Sequence, residues 1–176
     1  AYRKEMWKTE EGMKRRLVLK LFSEGMHWRG TAELLMGRSL QLSIGAKGTP
    51  VPSYSVNISR HDQIIQLERS AQKWPLFPEK FSFFIDTTKG PRFYRLRRNV
   101  IGIGADYSLY DDRGRKIGKL DHRIINLGGS WIVKVDAAES YAKLEAVLQM
   151  FCALLKFNGA ARRHVAKEVE QLHLGR

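Results

Sequence analysis

The sequence predicts a mainly β domain of the α+β type: a closed antiparallel β-barrel of about twelve strands around a central hydrophobic C-terminal helix, followed by a short amphipathic tail helix. Three observations predict it: a weak repeat over residues 91–136, short alternating segments in the first half, and an apolar stretch at 146–155. Short strands in series are typical of meanders and barrels, and closure removes exposed sheet edges. Because the stretch at 146–155 is apolar on all sides, protein must surround it.

The residues before position 90 predict about six strands, separated by glycine and proline. Residues 13–22 fit a helix or a strand, and a strand is preferred. Residues 31–37 fit a short helix, capped by Thr31 and Gly37, or another strand of the sheet. The other apolar or alternating segments are 40–44, 54–58, 64–67 and 81–85.

The residues after position 91 predict about six more strands, because one strand-turn-strand pattern recurs with an offset of 24 residues. Tyr107 and Leu109, for example, align with Trp131 and Val133, and each pair shares one strand face. Ser108 and Lys134 point to the opposite face. The predicted strands are 92–98, 99–103, 106–110, 115–120, 123–127 and 130–135, with a hairpin turn at 111–114 in which Gly114 takes the left-handed position.

The apolar stretch at 146–155 predicts a helix over about 139–157 that ends at an Asn158–Gly159 C-cap. Only Gln149 offers a polar side chain within it. Its ten residues are too few for a bilayer span, which needs about 20. We therefore expect a buried core helix and no transmembrane span.

The helix divides the chain into a barrel domain at 1–159 and a basic amphipathic tail at 160–176. Within the tail, Val165, Val169 and Leu172 lie on one helical face. This face either caps one mouth of the barrel or docks a partner protein, and capping is preferred.

The charge balance favours a polyanionic partner. The 176 residues contain 31 Lys and Arg against 18 Asp and Glu, a net charge of +13, and 43% are hydrophobic, enough for a core. Cys152 is the single cysteine, so no internal disulfide forms and a reducing compartment is expected. The N-terminal sequence AYRKEMWKTEEG lacks an apolar signal-peptide segment. We expect a cytoplasmic protein that can associate peripherally with membranes.

A cluster of basic residues supplies the candidate binding site. Its members fall within 29 positions, and the predicted hairpins gather several of them on one outer surface. The alternative is an ordinary solvated exterior, since Lys and Arg also discourage edge pairing. The candidate lipid- or anion-binding residues are Arg95, Arg97, Arg98, Arg113, Arg115, Lys116, Lys119 and Arg123.

Motifs for catalysis are missing from the sequence, so we expect no enzymatic activity, no cofactor and no metal. The chain has no G-x-S-x-G elbow, no phosphate-binding P-loop and no HExxH or paired-cysteine spacing. Cys152 on the apolar helix is interpreted as an inert buried thiol. His122 beside Asp121 is the one histidine pair of interest. An enzyme would need a pocket at the barrel mouth, which the central helix should fill.

Two segments resemble a known superfamily. The run YSLYDDRGRKIGKL at 107–120, followed by RIINLGGSW at 123–131, resembles the second half of LURP-one-related proteins, in which D-x-x-G-x-x-x-G-K-[IL] is typical. The helix AVLQMFCALLKF at 146–157 is similar to the terminal helix of phospholipid scramblases, which are relatives in the tubby C-terminal-like superfamily. The resemblance implies a closed barrel of about twelve strands around a central helix.

The functional implications of the resemblance are narrower. Tubby-type domains bind phosphoinositides through surface Lys and Arg, and scramblases act at anionic membranes with calcium. Here the acidic segment before the helix is reduced to Asp136 and Glu139, too few oxygen ligands for a calcium site. The leading hypothesis is a non-enzymatic module that binds anionic phospholipid, phosphoinositide or a membrane surface. The alternatives are a protein-interaction or assembly subunit and, less favoured, nonspecific nucleic-acid binding.

Overall fold

The computed structural model describes residues 2–6, 17–70, 78–100, 106–123 and 130–174, and of residues 2–6, 123 and 174 only the backbone. These ranges form ten strands and two helices. The strands are β1 (Tyr2–Met6), β2 (Leu17–Phe22), β3 (Trp28–Leu34), β4 (Ser53–Ile58), β5 (Ile64–Arg69), β6 (Lys80–Thr87), β7 (Gly90–Arg98), β8 (Tyr107–Tyr110), β9 (Lys116–Arg123) and β10 (Ser130–Val135). The helices are α1 (Met36–Gly45), between β3 and β4, and α2 (Ala142–Leu174).

The strands form one antiparallel sheet in which each strand pairs with its neighbours in sequence, from β1 to β10. The protein is therefore mainly β, as the sequence predicts. The prediction of a closed barrel of about twelve strands is wrong. Within the described ranges the sheet has ten strands, and its two end strands, β1 and β10, do not pair with each other.

The sheet curls around the N-terminal half of α2. The helix contacts β2, β3 and β4 toward one end of the sheet and β10 at the other. Phe151, buried on the helix, lies edge-on to Phe81 of β6 and Tyr107 of β8, with ring centroids 5.0 and 5.1 Å apart. Side chains from both halves of the sheet thus pack on one helix and form one hydrophobic core.

The open side of the sheet coincides with the polar residues of α2. Glu145 and Gln149 are exposed, whereas Leu148 between them is fully buried. Both polar residues line a groove of about 800 Å³ beside the β2–β3 hairpin and a second groove beside β10. Because carboxylate and amide groups are costly to bury without partners, this part of the helix is suited to the gap in the sheet.

Most predicted strands are confirmed. Residues 54–58, 64–67, 81–85, 92–98, 106–110, 115–120 and 130–135 lie in or largely overlap β4 to β10, and residues 17–22 form β2. Of the two alternatives for residues 31–37, the strand is found for 31–34, which belong to β3, whereas residues 36 and 37 begin α1. The turn before β9 contains Gly114 at φ +75°, as expected. Residues 13–16, 101–103 and 124–127 of the predicted strands 13–22, 99–103 and 123–127 lie outside the described residues. Residues 99 and 100 are described and lie in no strand, so the prediction is wrong for them.

The predicted strand at 40–44 is wrong, because these residues belong to α1. Met36, Leu40 and Ser43 are buried on one face, which is the spacing of a helix. The buried hydroxyls of Ser39 and Ser43 accept hydrogen bonds from the backbone N–H groups of Ser53 and Val51, at 2.9 Å each. The apolar residues at 40, 42 and 44 have the alternation of a strand. The hydrogen bonds of the two serines instead hold a helix beside the start of β4.

The predicted helix end at Asn158–Gly159 is also wrong, because α2 continues without a break to Leu174. Asn158 is buried: its Oδ1 accepts a hydrogen bond from Tyr54 Oη at 3.2 Å, and its Nδ2 donates to Glu79 at 3.2 Å. Its side chain therefore hydrogen-bonds to core residues and does not cap the helix. The predicted tail forms the last turns of the same helix, and Val165 and Val169 are buried in the common core.

Glu79 joins four parts of the fold. Its carboxylate accepts hydrogen bonds from Arg69 Nε at 2.5 Å, from Tyr107 Oη at 2.8 Å and from Asn158. Burial alone would raise the pKa of Glu79, but the hydrogen bonds from Tyr107 and Arg69 and the charge of Arg69 hold it below its ordinary value. The network thus links β5, the residue before β6, β8 and the middle of α2.

By length and composition alone, the segment Ala142–His173 is long and apolar enough to cross a membrane. Half of its apolar window is buried inside the protein. Core helices pass the same test, so this property is weak evidence for a span.

Removing residues 160–176 should destabilise the protein, because it takes two buried valines out of the core. Burying a valine contributes about 1.5–3 kcal/mol, so we expect the midpoint of thermal unfolding to fall by on the order of 10 °C. Removing only residues 170–176 spares both valines and should lower it far less. Equal midpoints for the two truncations, measured by calorimetry, would contradict a core role for the last turns of α2.

Replacing Glu79 with glutamine should cost about 3–5 kcal/mol, because Arg69 would stay buried without a carboxylate. Since the folded-state pKa is lowered, the stabilisation is present above pH 4.5, the ordinary value, and is lost as the pH falls through the folded pKa. The difference from wild type in urea unfolding should therefore shrink in acid. Glu68→Gln, which breaks the more exposed pair with Arg38, is the control and should cost about 0–1 kcal/mol.

Candidate functional site

The outer face of β7 carries the first of the predicted basic residues. Tyr94 and Leu96 are fully buried against the core, whereas Arg95 and Arg97 alternate with them and are exposed. Successive side chains on a strand point to opposite faces. The apolar residues of β7 therefore fix the outward direction of both arginines.

The strand register aligns basic residues across half of the sheet. Lys80 lies opposite Arg97, Arg97 opposite Ser108, Ser108 opposite Lys119, and Lys119 opposite Lys134. With strands about 4.8 Å apart, this line across β6 to β10 spans roughly 19 Å. We call its four cationic members, Lys80, Arg97, Lys119 and Lys134, the basic row.

The basic row is only partly neutralised. Lys119 Nζ lies 2.7 Å from Asp121 Oδ2. Among the residues that the structure describes, Lys80, Arg97 and Lys134 form no ion pair. Like charges directly opposite each other destabilise a sheet, and the row contains two such pairs, Lys80 with Arg97 and Lys119 with Lys134. A bound anion would relieve this repulsion.

An aromatic pair lies on the same outer face as the basic row. Phe84 of β6 and Phe93 of β7 are opposite each other, with ring centroids 4.9 Å apart. Phe84 is 57% exposed. The guanidinium of Arg95 lies 5.3 Å from the centre of the Phe93 ring, within cation–π distance. The face therefore presents the exposed ring of Phe84 and the half-buried ring of Phe93 beside its cations.

Four of the eight predicted site residues lie on this outer face. Arg95 and Arg97 extend from β7 and Lys119 from β9. Tyr110 of β8 lies between Arg95 of β7 and Lys116 of β9 in the strand register, so Lys116 shares the face of Arg95. We call the basic row together with Arg95 and Lys116 the basic face.

The other four predicted residues lie elsewhere or are not described. Arg98 ends β7 opposite Tyr107 of β8, and Arg113 is exposed in the β8–β9 turn. Arg115 is bound to acidic partners. The side chain of Arg123 lies outside the described residues.

Arg115 belongs to a network that secures the segment before α2. It contacts Asp111 Oδ2 at 2.9 Å and Glu139 Oε1 at 3.0 Å, and Arg92 contacts the other Glu139 oxygen at 2.5 Å. The hydrogen bond from Arg92 lowers the pKa of Glu139 below its ordinary range. Glu139, one of the two acidic residues considered for calcium, is thus occupied by two arginines.

Sequence reasoning missed Lys80 and Lys134 as members of the row. Alternation indicates that Lys134 points outward, but its place opposite Lys119 depends on the register of β9 with β10. Lys80 is separated from the cluster by the β6–β7 hairpin, and pairing along that hairpin brings it beside Arg97. Extending the alternation of Phe81 and Phe83 back by one residue would have identified it.

The residues considered for catalysis have structural partners. Cys152 is buried, and burial raises the pKa of its thiol to about 12. The imidazole of His122 packs on Trp131, with ring centroids 4.8 Å apart, while Asp121 pairs with Lys119. Within the described parts of the chain, no group of three or more His, Cys, Asp or Glu side chains is placed to hold a metal ion.

Gly118→Ala should disturb the strand pairing that positions Lys119 opposite Lys134. A Cβ at Gly118 would lie 2.6 Å from the carbonyl oxygen of Lys134, so β9 and β10 would have to separate. We expect a loss of about 1–3 kcal/mol in denaturant unfolding. Gly37→Ala in α1 is the control, since its Cβ would meet nothing within 4 Å and should be neutral or stabilising. Similar effects at the two positions would contradict the close approach.

No protein-family model, curated protein or solved structure matches the chain. The likeness of residues 107–131 and 146–157 to LURP-one-related and scramblase proteins therefore stays a prediction.

Proposed function

We propose that the protein is a non-enzymatic binding module that associates with anionic phospholipid surfaces through its basic face. The observation that carries this proposal is the basic row, in which four cations lie in register across five strands. The outer face of a sheet is broad, and an anionic bilayer is a polyanion broad enough to contact all of it at once. Charges must lie within a Debye length of the lipid headgroups, about 8 Å at physiological salt, to contribute fully.

The expected strength of attachment follows from the number of cations. Each Lys or Arg near an anionic membrane contributes about 1 kcal/mol, so the four cations of the row, less the negative charge of Asp121 beside Lys119, give about 3 kcal/mol, or roughly 150-fold in affinity. The exposed Phe84 adds an apolar contact beside the cations. Peripheral membrane proteins place apolar side chains such as Phe at the boundary between headgroups and acyl chains, so this position supports a membrane as the partner.

Nucleic-acid binding is the second candidate, favoured by the contact between Arg95 and Phe93. An arginine beside an aromatic pair of which one ring is exposed can also bind unstacked bases. This partner would give a steep dependence on salt and no preference among lipid headgroups.

Docking of a partner protein through the tail has less support. Val165 and Val169, two of the three residues expected to form the docking face, are buried in the core, and Leu172 alone is exposed.

The variant Arg97→Ala/Lys119→Ala should weaken binding to phosphatidylserine-containing vesicles by about 30-fold, at roughly 1 kcal/mol per residue. Vesicle co-sedimentation across a salt series measures this. Arg163→Ala/Lys167→Ala removes the same charge from an exposed part of α2 and serves as the control. The Arg97→Ala/Lys119→Ala variant should fold about as stably as wild type, because it removes charge repulsion between adjacent strands and loses only the exposed ion pair of Lys119 with Asp121, which contributes about 0–1 kcal/mol.

Three results would count against the proposal. Equal losses in the two double variants would show that net charge alone drives binding. Retention of full binding by Arg97→Ala/Lys119→Ala would exclude the basic face. Complete displacement of the vesicles by a modest excess of single-stranded DNA, with no headgroup preference, would favour the nucleic-acid alternative.

A further inference from the structure

A cavity at the N-terminal end of α2 is separate from the basic face. It has a volume of about 470 Å³ and lies between the β2–β3 hairpin, the β4–β5 turn and the first two turns of α2. Proteins bind small ligands in cavities of about 300–1,000 Å³. The basic face occupies the outer side of β6 to β10, so the two regions share no residue.

The polar groups around this cavity are almost all hydrogen-bond donors or cations. The hairpin contributes His27, Trp28 and Arg29, and the turn contributes Ser59, Arg60 and His61. None of the described lining residues is a carboxylate. Arginine presents a planar fork of N–H groups that matches phosphate oxygens, and it is the residue most suited to binding that group.

The two arginines come from different segments, Arg29 from the start of β3 and Arg60 from the β4–β5 turn, and both are available to a ligand. Arg29 and Arg60 are exposed, and within the described part of the chain neither side chain has an ion pair or hydrogen bond. The two segments are joined directly, since Ser59 N–H donates to the carbonyl oxygen of Arg29 at 2.9 Å. The backbone thus holds two unpaired cations at one cavity.

The β2–β3 loop and the β4–β5 turn each contain a residue with an uncommon backbone conformation. Met26 and Arg60 adopt left-handed φ values of +59° and +66°, and they are two of the three described non-glycine residues that do so. Such conformations cost energy for residues with a side chain and occur often at binding sites. In Arg60 the strain falls on a residue that lines the cavity.

The rest of the lining is apolar. Trp28 is 41% exposed, and its indole N–H donates to Thr31 Oγ1 at 3.0 Å, which restrains the ring. Ile58 adds an aliphatic surface, and α2 contributes the small residues Ala142 and Ala146, which leave the volume open. A ligand that fits both parts of the lining has an anionic head and an apolar or aromatic body.

We propose that this cavity binds a phosphomonoester, with Arg29 and Arg60 paired to the phosphate and Trp28 against the attached organic group. The phosphate can come from a soluble metabolite or from a lipid headgroup such as that of phosphatidic acid. This inference does not depend on the basic face, because Arg29 and Arg60 lie on other strands and loops.

Phenyl phosphate and phosphatidic acid vesicles are probes for the two sources. Binding of phenyl phosphate is measured by phosphorus NMR, and vesicle binding by co-sedimentation against phosphatidylcholine. We expect Arg29→Ala/Arg60→Ala to weaken binding at least tenfold, while Arg163→Ala/Lys167→Ala leaves it unchanged. Trp28→Ala should weaken phenyl phosphate more than inorganic phosphate.

The results distinguish a soluble phosphomonoester, a lipid headgroup and failure of the proposal. Arginine-dependent binding of phenyl phosphate would support a soluble phosphomonoester. Arginine-dependent binding of phosphatidic acid vesicles alone would support a lipid headgroup. Failure of both probes to bind, or equal binding by wild type and Arg29→Ala/Arg60→Ala, would overturn the proposal. Because Arg97→Ala/Lys119→Ala leaves this cavity intact, loss of phenyl phosphate binding in that variant would also contradict it.

Discussion

A helix that is apolar on nearly all sides cannot lie against water, and this constraint determines the architecture. The first turns of α2 bury Leu144, Val147, Leu148 and Phe151, and burial of each large side chain contributes about 1.5–3 kcal/mol. A flat sheet would cover only one side of such a helix. Curling of the sheet brings β2 and β10, from opposite ends, onto the same helix. Among the described residues, a gap in the sheet lies beside Gln149, where the helix is polar and exposed.

The curled sheet is also fixed to the helix by polar contacts. An ion pair removed from water rarely increases stability compared with apolar residues of the same shape, but it is specific about geometry. Glu79 meets Arg69, Tyr107 and Asn158 at once, so the connection before β6, two strands and the helix must have one relative arrangement. Lys80 directly follows Glu79, and the network therefore also positions the first member of the basic row.

The sequence predicted the strands of the second half well because their turns and alternation agree with their final environment. It failed where a pattern fits two structures. Apolar residues at 40, 42 and 44 fit a strand by alternation, while the helix depends on contacts of Ser39 and Ser43 with residues 51 and 53. Asn158–Gly159 has the composition of a helix end, but tertiary hydrogen bonds to Tyr54 and Glu79 use the asparagine inside the helix. Local patterns contain no information about such distant partners.

The candidate site is also only partly predictable from local sequence. The density of charge identifies Arg95, Arg97 and Lys119, whereas Lys80 and Lys134 join them only through the strand register. The arginines beside the α2 cavity are 31 positions apart and have no motif in common. The density of charge also selects Arg115, which is neutralised by Asp111, four positions away, and by Glu139, 24 positions away. Charge density finds basic residues, and only pairing shows which of them remain unneutralised.

The order of elements along the chain has a consequence for biosynthesis. Each strand pairs with its predecessor, so hairpins can form as they leave the ribosome, and local contacts of this kind form quickly. The helix that fills the sheet follows all ten described strands. At about 5–20 residues per second, its 33 residues take roughly 2–7 s to synthesise. During that interval the apolar inner side of the nascent sheet has no cover, which makes it a natural substrate for chaperones until α2 emerges.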